Sequence, residues 1–309
     1  MILTCGLSPA WQHILVAEGL CPGEVNRAGE VYWCSSGKVL NAAISIAHLG
    51  GAGRVVSVLG GPRRADIQRE FEDWDVDAAW VECRSPTRVC TTIIDSATGR
   101  ATELVENAGE LGAAELDAFR RACAAGAGDS DLVLAMGSIP PGVPPDIYRE
   151  ILEETGARAV LDVRGPELLA AVAAGAFLVK PNREELGWTL GRELSDEVSV
   201  LAAMRELNDL GAAWVVVTQG AEPVLVTSGA ERFRLWPPPV DVVNSIGCGD
   251  CMAGAISVAL DEGRAPLDAI RYGMGAAALN LGEVLMGRLD RARVEELEGR
   301  VRLEPISGN

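Results

Sequence analysis

Two glycines and an aspartate stand together in the run 242–254, where a strand-like stretch leads into a helix of small residues. Gly247 and Gly249 allow a tight turn that points successive backbone N–H groups outward, at a helix N-terminus whose dipole favours an anion. Asp250 lies inside this turn, where its carboxylate would repel a resting pyrophosphate but can serve as a base beside a phosphoryl group in transfer. The run predicts phosphoryl-transfer chemistry, although the helix dipole alone also accounts for a first-turn aspartate.

A second polar run, 180–185, leaves a buried strand, turns at Pro181 and begins a helix. Asn182 and Glu185 have the spacing of a helix-capping pair. The same spacing places both side chains on one helical face, where they can hold water molecules of a hydrated Mg²⁺. The residues alone leave both roles open.

Lysine is scarce, since only Lys38 and Lys180 occur among 27 lysines and arginines. A compact ammonium group is a common point-charge partner of a phosphate. Lys38 follows the polar loop 34–37 in the first turn of a helix, where the dipole opposes a cation unless an anion binds nearby. Neither lysine belongs to a GxxxxGK[ST] loop, so a Walker-type nucleotide site is excluded.

Alternating strands and helices must position these loops. Runs rich in Val, Leu and Ile predict buried strands at 1–7, 54–59, 131–136, 159–163, 176–179 and 213–218. Helical patterns occur at 40–49, 114–125, 146–154, 166–174, 198–210, 249–262, 267–281 and 291–300. The alternation predicts a mostly parallel sheet with helices on both faces and a ligand at the carboxyl ends of its strands.

Two stretches in the first part of the chain lack a crossover helix. Residues 24–34 alternate between polar and apolar, and 87–107 is typical of two strands joined by a turn at 96–99. We predict one domain over 1–309, with a small antiparallel β lid built from about 11–35 and 87–107.

Composition excludes several classes of protein. A net charge of −17 argues against binding to nucleic acid or to an anionic membrane. The longest strongly apolar run, 168–179, is too short to span a bilayer, and the first residues do not have the pattern of a signal peptide. A cytoplasmic enzyme is expected. Cys248 and Cys251 form an isolated CxxC pair, which leaves a redox role as an alternative.

Together the motifs resemble the PfkB/ribokinase family of carbohydrate kinases, above all the branch that phosphorylates sugar phosphates, such as 1-phosphofructokinase and tagatose-6-phosphate kinase. The resemblance runs nearly end to end. It rests on Leu7-Ser8-Pro9-Ala10, Gly23-Glu24-Val25-Asn26, Gly37-Lys38 with Asn41, Thr87-Arg88, the run 137–142, Lys180-Pro181-Asn182 with Glu185, Thr218 with Gly220, and Gly247-Cys248-Gly249-Asp250.

The resemblance implies a ribokinase-like αβα sandwich that dimerises through its lid. It implies ATP- and Mg²⁺-dependent phosphoryl transfer to a hydroxyl of a sugar phosphate of the fructose 1-phosphate, fructose 6-phosphate or tagatose 6-phosphate type. Asp250 would be the general base, and Gly247, Cys248 and Gly249 would form the anion hole. The resemblance also implies that the acceptor is bound by Gln12, Gly37, Lys38, Asn41, Arg88 and Ser138. It implies that ATP is bound by Lys180, Asn182, Thr218, Gly220 and Asn280. Asn182 and Glu185 would hold Mg²⁺ through water.

Two positions depart from the family pattern. Gln12 stands where the family usually has an aspartate that holds sugar hydroxyls, and an amide carries no charge. Val39 replaces a glycine, and its branched side chain disfavours positive φ, so a different loop backbone is expected. Two alternatives stay open: a kinase of an unphosphorylated sugar or nucleoside, and a sugar-phosphate-binding protein with weak or lost catalysis. The cations Lys38 and Arg88 favour a phosphorylated acceptor.

Overall fold

A computed structural model describes residues 1–128, 130–229 and 231–306, in which ten strands form one sheet and four form another. The strands are β1 (Ile2–Gly6), β2 (Ala10–Ala17), β3 (Glu30–Ser36), β4 (Gly53–Leu59), β5 (Asp77–Glu82), β6 (Arg88–Asp95), β7 (Arg100–Val105), β8 (Leu132–Met136), β9 (Arg158–Asp162), β10 (Leu178–Val179), β11 (Trp214–Gln219), β12 (Glu222–Ser228), β13 (Glu231–Trp236) and β14 (Arg302–Pro305). The helices are α1 (Lys38–His48), α2 (Arg64–Asp73), α3 (Ala113–Ala127), α4 (Ile147–Thr155), α5 (Pro166–Ala173), α6 (Arg183–Thr189), α7 (Glu197–Leu210), α8 (Cys248–Asp261), α9 (Pro266–Leu281) and α10 (Arg291–Glu298).

The larger sheet has the strand order β14-β13-β12-β11-β10-β9-β8-β1-β4-β5. From β11 to β5 every pairing is parallel, whereas β12, β13 and β14 add an antiparallel edge. The six buried strands predicted from the sequence all lie in the parallel part. Because parallel strands end at the same edge of a sheet, the loops after β1, β8, β9 and β10 come together there.

Helices cover both faces of this sheet, which confirms the predicted layering. Helices α3 to α7 pack on one face around buried side chains such as Phe119 and Tyr148. Helices α1, α8, α9 and α10 pack on the other face, where Ile256 and Tyr272 are buried. Strands β1, β8 and β10 are buried along their whole length, as expected where helices cover both faces of a parallel sheet. Within the described residues, no helix is both long and apolar enough to cross a membrane.

The smaller sheet, which we call the lid sheet, has the order β3-β2-β6-β7. Its two outer pairings are antiparallel, but the central β2–β6 pairing is parallel, a difference from the predicted antiparallel sheet. The turn between β6 and β7 falls at 96–99 as predicted. Alternation along each strand places Gln12, Cys90, Glu103 and Val105 on the face toward the larger sheet, where they line a cavity.

The charged stretch 63–82 also forms regular structure, which the sequence patterns did not predict. Arg64–Asp73 is a helix that buries Ile67 and Phe71 against α1 and β4, and Asp77–Glu82 is the edge strand β5. Glu70 accepts a hydrogen bond from the Ser35 backbone N–H at 2.6 Å and pairs with Arg288 at 2.8 Å. The helix therefore connects the end of a lid strand to the C-terminal segment.

Candidate active site

One cavity of about 420 Å³ lies between the lid sheet and the carboxyl ends of the parallel strands. Many of the predicted site residues line it together: Gln12, Gly37, Lys38, Asn41, Arg88, Ser138, Glu185, Gly247 and Asp250. The remaining predicted residues lie outside this lining: Lys180, Asn182, Thr218, Gly220, Cys248, Gly249 and Asn280. The predicted acceptor side and the predicted base therefore share one space.

The N-terminus of α1 enters this cavity because of a glycine. Gly37 caps the helix with φ of 86°, and a Cβ there would lie 2.8 Å from the Ser8 carbonyl oxygen. A side chain is thus excluded both by conformation and by space. Val39, in contrast, is already in the first helical turn and is buried, so no positive φ is needed at this position.

Both lysines of the chain bind the same carboxylate. Asp162, the last residue of β9, accepts a hydrogen bond from Lys38 Nζ at 2.8 Å through Oδ1, and Lys180 Nζ lies 3.0 Å from its Oδ2. The side chains of Asp162 and Lys180 are only 1% and 3% exposed. Burial opposes the charged carboxylate, but the two ammonium groups outweigh it and lower the pKa of Asp162. Asp162 therefore joins the predicted acceptor lysine to the predicted nucleotide lysine.

Lys38 has a second carboxylate partner, since its Nζ lies 2.9 Å from Glu185 Oε1. Burial disfavours the ammonium form, yet the carboxylates of Asp162, Glu185 and Asp250 raise the pKa of Lys38. The side chain stays protonated at neutral pH and keeps one N–H for a ligand after these two contacts.

The predicted base is buried in the first turn of α8. Asp250 Oδ2 accepts a hydrogen bond from Asn41 Nδ2 at 2.8 Å. Burial raises the pKa of Asp250, with Lys38 opposing the shift and Asp162 adding to it. Asn41 Oδ1 is buried without a hydrogen-bond partner among the described residues, so this amide can accept from a ligand hydroxyl while it holds the base.

The turn before α8 is held from behind by Asn280. Its Nδ2 donates to the Ile246 carbonyl at 3.0 Å, and its Oδ1 accepts from the Gly287 N–H at 3.0 Å. Asn280 is buried with its amide used in these contacts and supports the turn from behind, and the contact with ATP that the resemblance implied stays a prediction. Gly247 has φ of 77°, which suits the glycine predicted at this turn.

The CxxC pair does not have the environment of a redox site. Burial raises the pKa of Cys248 to about 11 and that of Cys251 well above its usual range. A reactive thiol needs a lowered pKa. Both sulfurs instead contact the Asn280 side chain, at 3.3 and 3.1 Å, so the two cysteines pack around the turn.

Asn182 and Glu185 form a capping box at the start of α6. Asn182 Oδ1 accepts from the Glu185 N–H at 2.8 Å, and Glu185 Oε2 accepts from the Asn182 N–H at 3.0 Å. Thr218 lies beside them, because its N–H donates to the Pro181 carbonyl.

Among the residues that the structure describes, no cluster of three or more His, Cys, Asp or Glu side chains suits a metal ion. A hydrated Mg²⁺ needs no such cluster, so the predicted role of Asn182 and Glu185 toward this ion stays a prediction.

On the opposite side of the cavity, the lining residues belong to the lid sheet. Gln12 is buried, and its Nε2 donates to Thr92 Oγ1 at 2.6 Å, which leaves Oε1 as an acceptor. The Arg88 guanidinium donates to the carbonyl oxygens of Ser8 at 3.1 Å and Glu106 at 3.2 Å. Arg88 thus ties the lid sheet to the loop after β1 and retains free N–H groups.

Three charged residues of the site were not predicted from the sequence: Arg164 and Glu103 line the cavity, and Asp162 binds both lysines. Asp162 lies at the carboxyl end of a predicted buried strand and Arg164 follows that strand, so the rule that ligands bind at strand carboxyl ends could have found them. Glu103 carried no comparable signal, because only the register of β7 against β6 turns it toward the cavity. Burial raises the pKa of Glu103, which Arg88 opposes.

Comparison with known proteins agrees with this geometry. The model for the pfkB family carbohydrate kinases matches residues 5–288. The 1-phosphofructokinase of Rhodobacter capsulatus is 32% identical over 291 residues, covering 92% of this chain and 91% of that protein. The 1-phosphofructokinase of Escherichia coli (strain K12) is 28% identical over 313 residues, covering 99% of each.

A solved structure extends the similarity to three dimensions. Phosphofructokinase-2 from Escherichia coli in complex with fructose-6-phosphate superposes with a TM-score of 0.86 at 27% identity, covering 96% of this chain and 98% of that one. A mostly parallel sheet, a lid sheet and the Gly-x-Gly-Asp turn thus coincide with a family match along nearly the whole sequence. The chain belongs to the pfkB family of carbohydrate kinases.

Proposed function

We propose that this protein transfers the γ-phosphoryl group of ATP to a hydroxyl of a phosphorylated ketohexose, as a 1-phosphofructokinase does. One observation carries the proposal. The buried Asp250 carboxylate, held by Asn41, lies in the same cavity as the cations Lys38 and Arg88. A base and a set of cations around one space are what transfer to an acceptor that already bears a phosphate requires.

Asp250 accepts the proton of the acceptor hydroxyl as that oxygen bonds to the γ-phosphorus. The bond from phosphorus to the bridging oxygen of ADP breaks, and the proton stays on the carboxyl group. A base with a raised pKa suits this step, because it binds the proton more firmly than a solvated aspartate does. The Gly247–Gly249 turn offers backbone N–H groups at the α8 N-terminus to the transferring group.

The residues next to this turn indicate where the nucleotide would bind. A Cβ at Gly249 would lie 3.2 Å from Lys180 Nζ, so the ammonium group stands beside the anion-binding turn. Asn182 and Thr218 form a bridge between the start of α6 and the end of β11, and Gly220 follows. We assign the ATP phosphates to the space bordered by Lys180 and this bridge, outside the acceptor cavity.

A coupled assay of ADP release tests the function. Wild-type protein with ATP and Mg²⁺ is offered fructose 1-phosphate, fructose 6-phosphate, tagatose 6-phosphate, free sugars and nucleosides. Turnover with one of the sugar phosphates is expected. Turnover only with an unphosphorylated acceptor would overturn the assignment of Lys38 and Arg88. Binding of a sugar phosphate without turnover on any acceptor would favour a protein with lost catalysis.

We expect the activity to require a divalent cation. Mg²⁺ bound through water by Glu185 and Asn182 would neutralise charge on the transferring phosphates. Removing it with EDTA should reduce turnover at least about 100-fold, and excess Mg²⁺ should restore it. Thermal denaturation should change little on chelation, because the capping box and the Lys38–Glu185 pair do not need the ion. Unchanged turnover in EDTA would contradict the role of Glu185 and Asn182.

We also propose one kinase domain whose lid sheet covers the cavity and pairs with a second copy. On the face away from the cavity, Val31 is 51% exposed and Leu104 is 59% exposed. Apolar side chains grouped on a sheet face favour association. Sedimentation should report a dimer, and Val31→Glu with Leu104→Glu should give a monomer. Val198→Glu, at an exposed apolar position on α7, is the matched control. A monomeric parent protein would contradict the proposal.

A cytoplasmic location stays a prediction of the sequence.

A further inference from the structure

Three cations line the acceptor cavity, and they differ in their partners. Lys38 is bound by two carboxylates. The Arg88 guanidinium donates to three backbone carbonyls. Within 1–128, 130–229 and 231–306, the Arg164 side chain has neither an ion pair nor a hydrogen bond, although it lines the same cavity. All five of its N–H donors are available to a ligand.

The Arg164 side chain is nevertheless held in place. Its guanidinium carbon lies 5.2 Å from the centre of the Trp188 ring, within the range of a cation–π contact. Trp188 is 61% exposed, an unusual position for so large an apolar side chain. Gly165 makes this contact possible, because a Cβ there would lie 2.3 Å from a Trp188 ring carbon. Stacking uses the face of the guanidinium and leaves its N–H edge free.

Arg164 also changes the balance of positive and negative charge around the cavity. Its lining carries the carboxylates of Glu103, Glu185 and Asp250, which would repel a phosphate dianion. Lys38 and Arg88 are partly engaged with acceptors of the protein, which leaves one N–H of Lys38 and two of Arg88 for a ligand. A further cation whose donors are all free would strengthen phosphate binding against these carboxylates, and a planar guanidinium binds phosphate oxygens through two parallel hydrogen bonds.

We propose that Arg164 binds the phosphate group that the acceptor already carries, and that Trp188 positions it. This inference rests on the proposed function and adds to Lys38 and Arg88 a further residue that selects a phosphorylated acceptor. The acceptor's phosphate is favoured over a nucleotide phosphate because Arg164 shares its cavity with Gln12, Arg88 and Ser138, whereas Thr218 and Gly220 lie outside that lining.

Calorimetric titration and steady-state kinetics on full-length variants test this role. Arg164→Met should raise the Kd for the preferred sugar phosphate about 10- to 100-fold, because two charge-assisted hydrogen bonds are lost. The KM for ATP should stay within about twofold of the parent value. Arg164→Lys should recover only part of the affinity, since an ammonium group lacks the planar pair of donors. Trp188→Leu should weaken binding less than Arg164→Met does.

Arg302→Met is the matched control. Arg302 also stacks on a tryptophan, 4.7 Å from the ring centre of Trp236, but it lies on the edge strand β14. The control removes the same charge from the protein and should leave the Kd for the sugar phosphate unchanged. An equal loss in both variants would show a general electrostatic effect and overturn the proposal.

Other outcomes would also overturn it. A raised KM for ATP with unchanged binding of the sugar phosphate would assign Arg164 to the nucleotide. An unchanged Kd in Arg164→Met would leave Arg164 as a surface residue. Wild-type protein that binds no sugar phosphate would instead count against the proposed function, so the two failures are distinguishable.

Discussion

Asp250→Asn is expected to lower kcat about 10²- to 10⁴-fold while the KM for ATP changes little, because the variant loses only the base that accepts the hydroxyl proton. Asparagine has nearly the same shape and can still accept the hydrogen bond from Asn41 Nδ2. Steady-state kinetics on both proteins provide the measurement. A loss of less than about tenfold would contradict the assignment of Asp250 as general base.

The same substitution should not destabilise the fold. The folded-state pKa of Asp250 is raised, so the protonated form is favoured by folding, and that contribution is lost as pH rises through the folded pKa. Above its folded-state pKa the parent protein carries a buried negative charge, whereas the amide that replaces the carboxylate in the variant is neutral at every pH.

Urea denaturation at pH 7 should therefore give Asp250→Asn a free energy of unfolding at least equal to that of the parent. Inactive protein that is also less stable would mean that the turn had been disturbed. In the parent, the acid limb of kcat/KM should have its midpoint above the ordinary aspartate pKa of about 3.9.

Asp162→Asn is expected to abolish most activity and to lower the free energy of unfolding by about 3–5 kcal/mol, because it leaves a buried ammonium group without its carboxylate. Lys180, at 3% exposure, is the group affected most, since Lys38 keeps its contact with Glu185. Urea denaturation and the coupled assay give the two readouts. Stability close to that of the parent would contradict the buried ion pair.

A second variant separates stability from activity. Asp162→Asn combined with Lys180→Met removes the unpaired charge and should recover much of the lost free energy of unfolding without recovering activity. Asp77→Asn is the matched control, because Asp77 pairs with Arg54 at 2.7 Å on the surface. Exposed pairs contribute only about 0–1 kcal/mol. Recovery of turnover in the double variant would remove Lys180 from the nucleotide side.

The pH dependence of the Asp162 contribution has the opposite sign to that of Asp250. Because its folded-state pKa is lowered, its stabilising effect is present above the unfolded pKa and is lost as pH falls through the folded pKa. The stability difference between the parent and Asp162→Asn should therefore shrink in acid, below about pH 4.

Chain order and local chemistry determined much of the fold. The apolar runs that became β1, β4, β8, β9, β10 and β11 are clearly bounded, and a helix follows β4, β8, β9 and β10. The Asn182 cap, the turn at 96–99 and the positive φ of Gly247 depend on residues near in sequence, so sequence patterns indicate them. The order of these motifs along the chain indicated the protein family.

The edge elements were not predicted because their stability comes from neighbours distant in the chain. Helix α2 is strongly charged and buries only Ile67 and Phe71, so its periodicity is weak. Glutamate is a residue type that usually lies on the surface, yet the Glu70 carboxylate accepts hydrogen bonds from the Ser35 backbone N–H and from the Arg288 guanidinium. Strand β14 pairs with β13 although many residues separate them in sequence.

Within the candidate site, the sequence determined which residue types are present, and the tertiary structure decided which of them meet. Both lysines were singled out by their rarity, but their common partner Asp162 is distant from Lys38 in the chain. Arg164 gained its position from Trp188 and Gly165, and Glu103 from strand register. Residue type fixes what a side chain can do, whereas the distances that decide pairing, burial and pKa arise only when strand ends from separate parts of the chain come together.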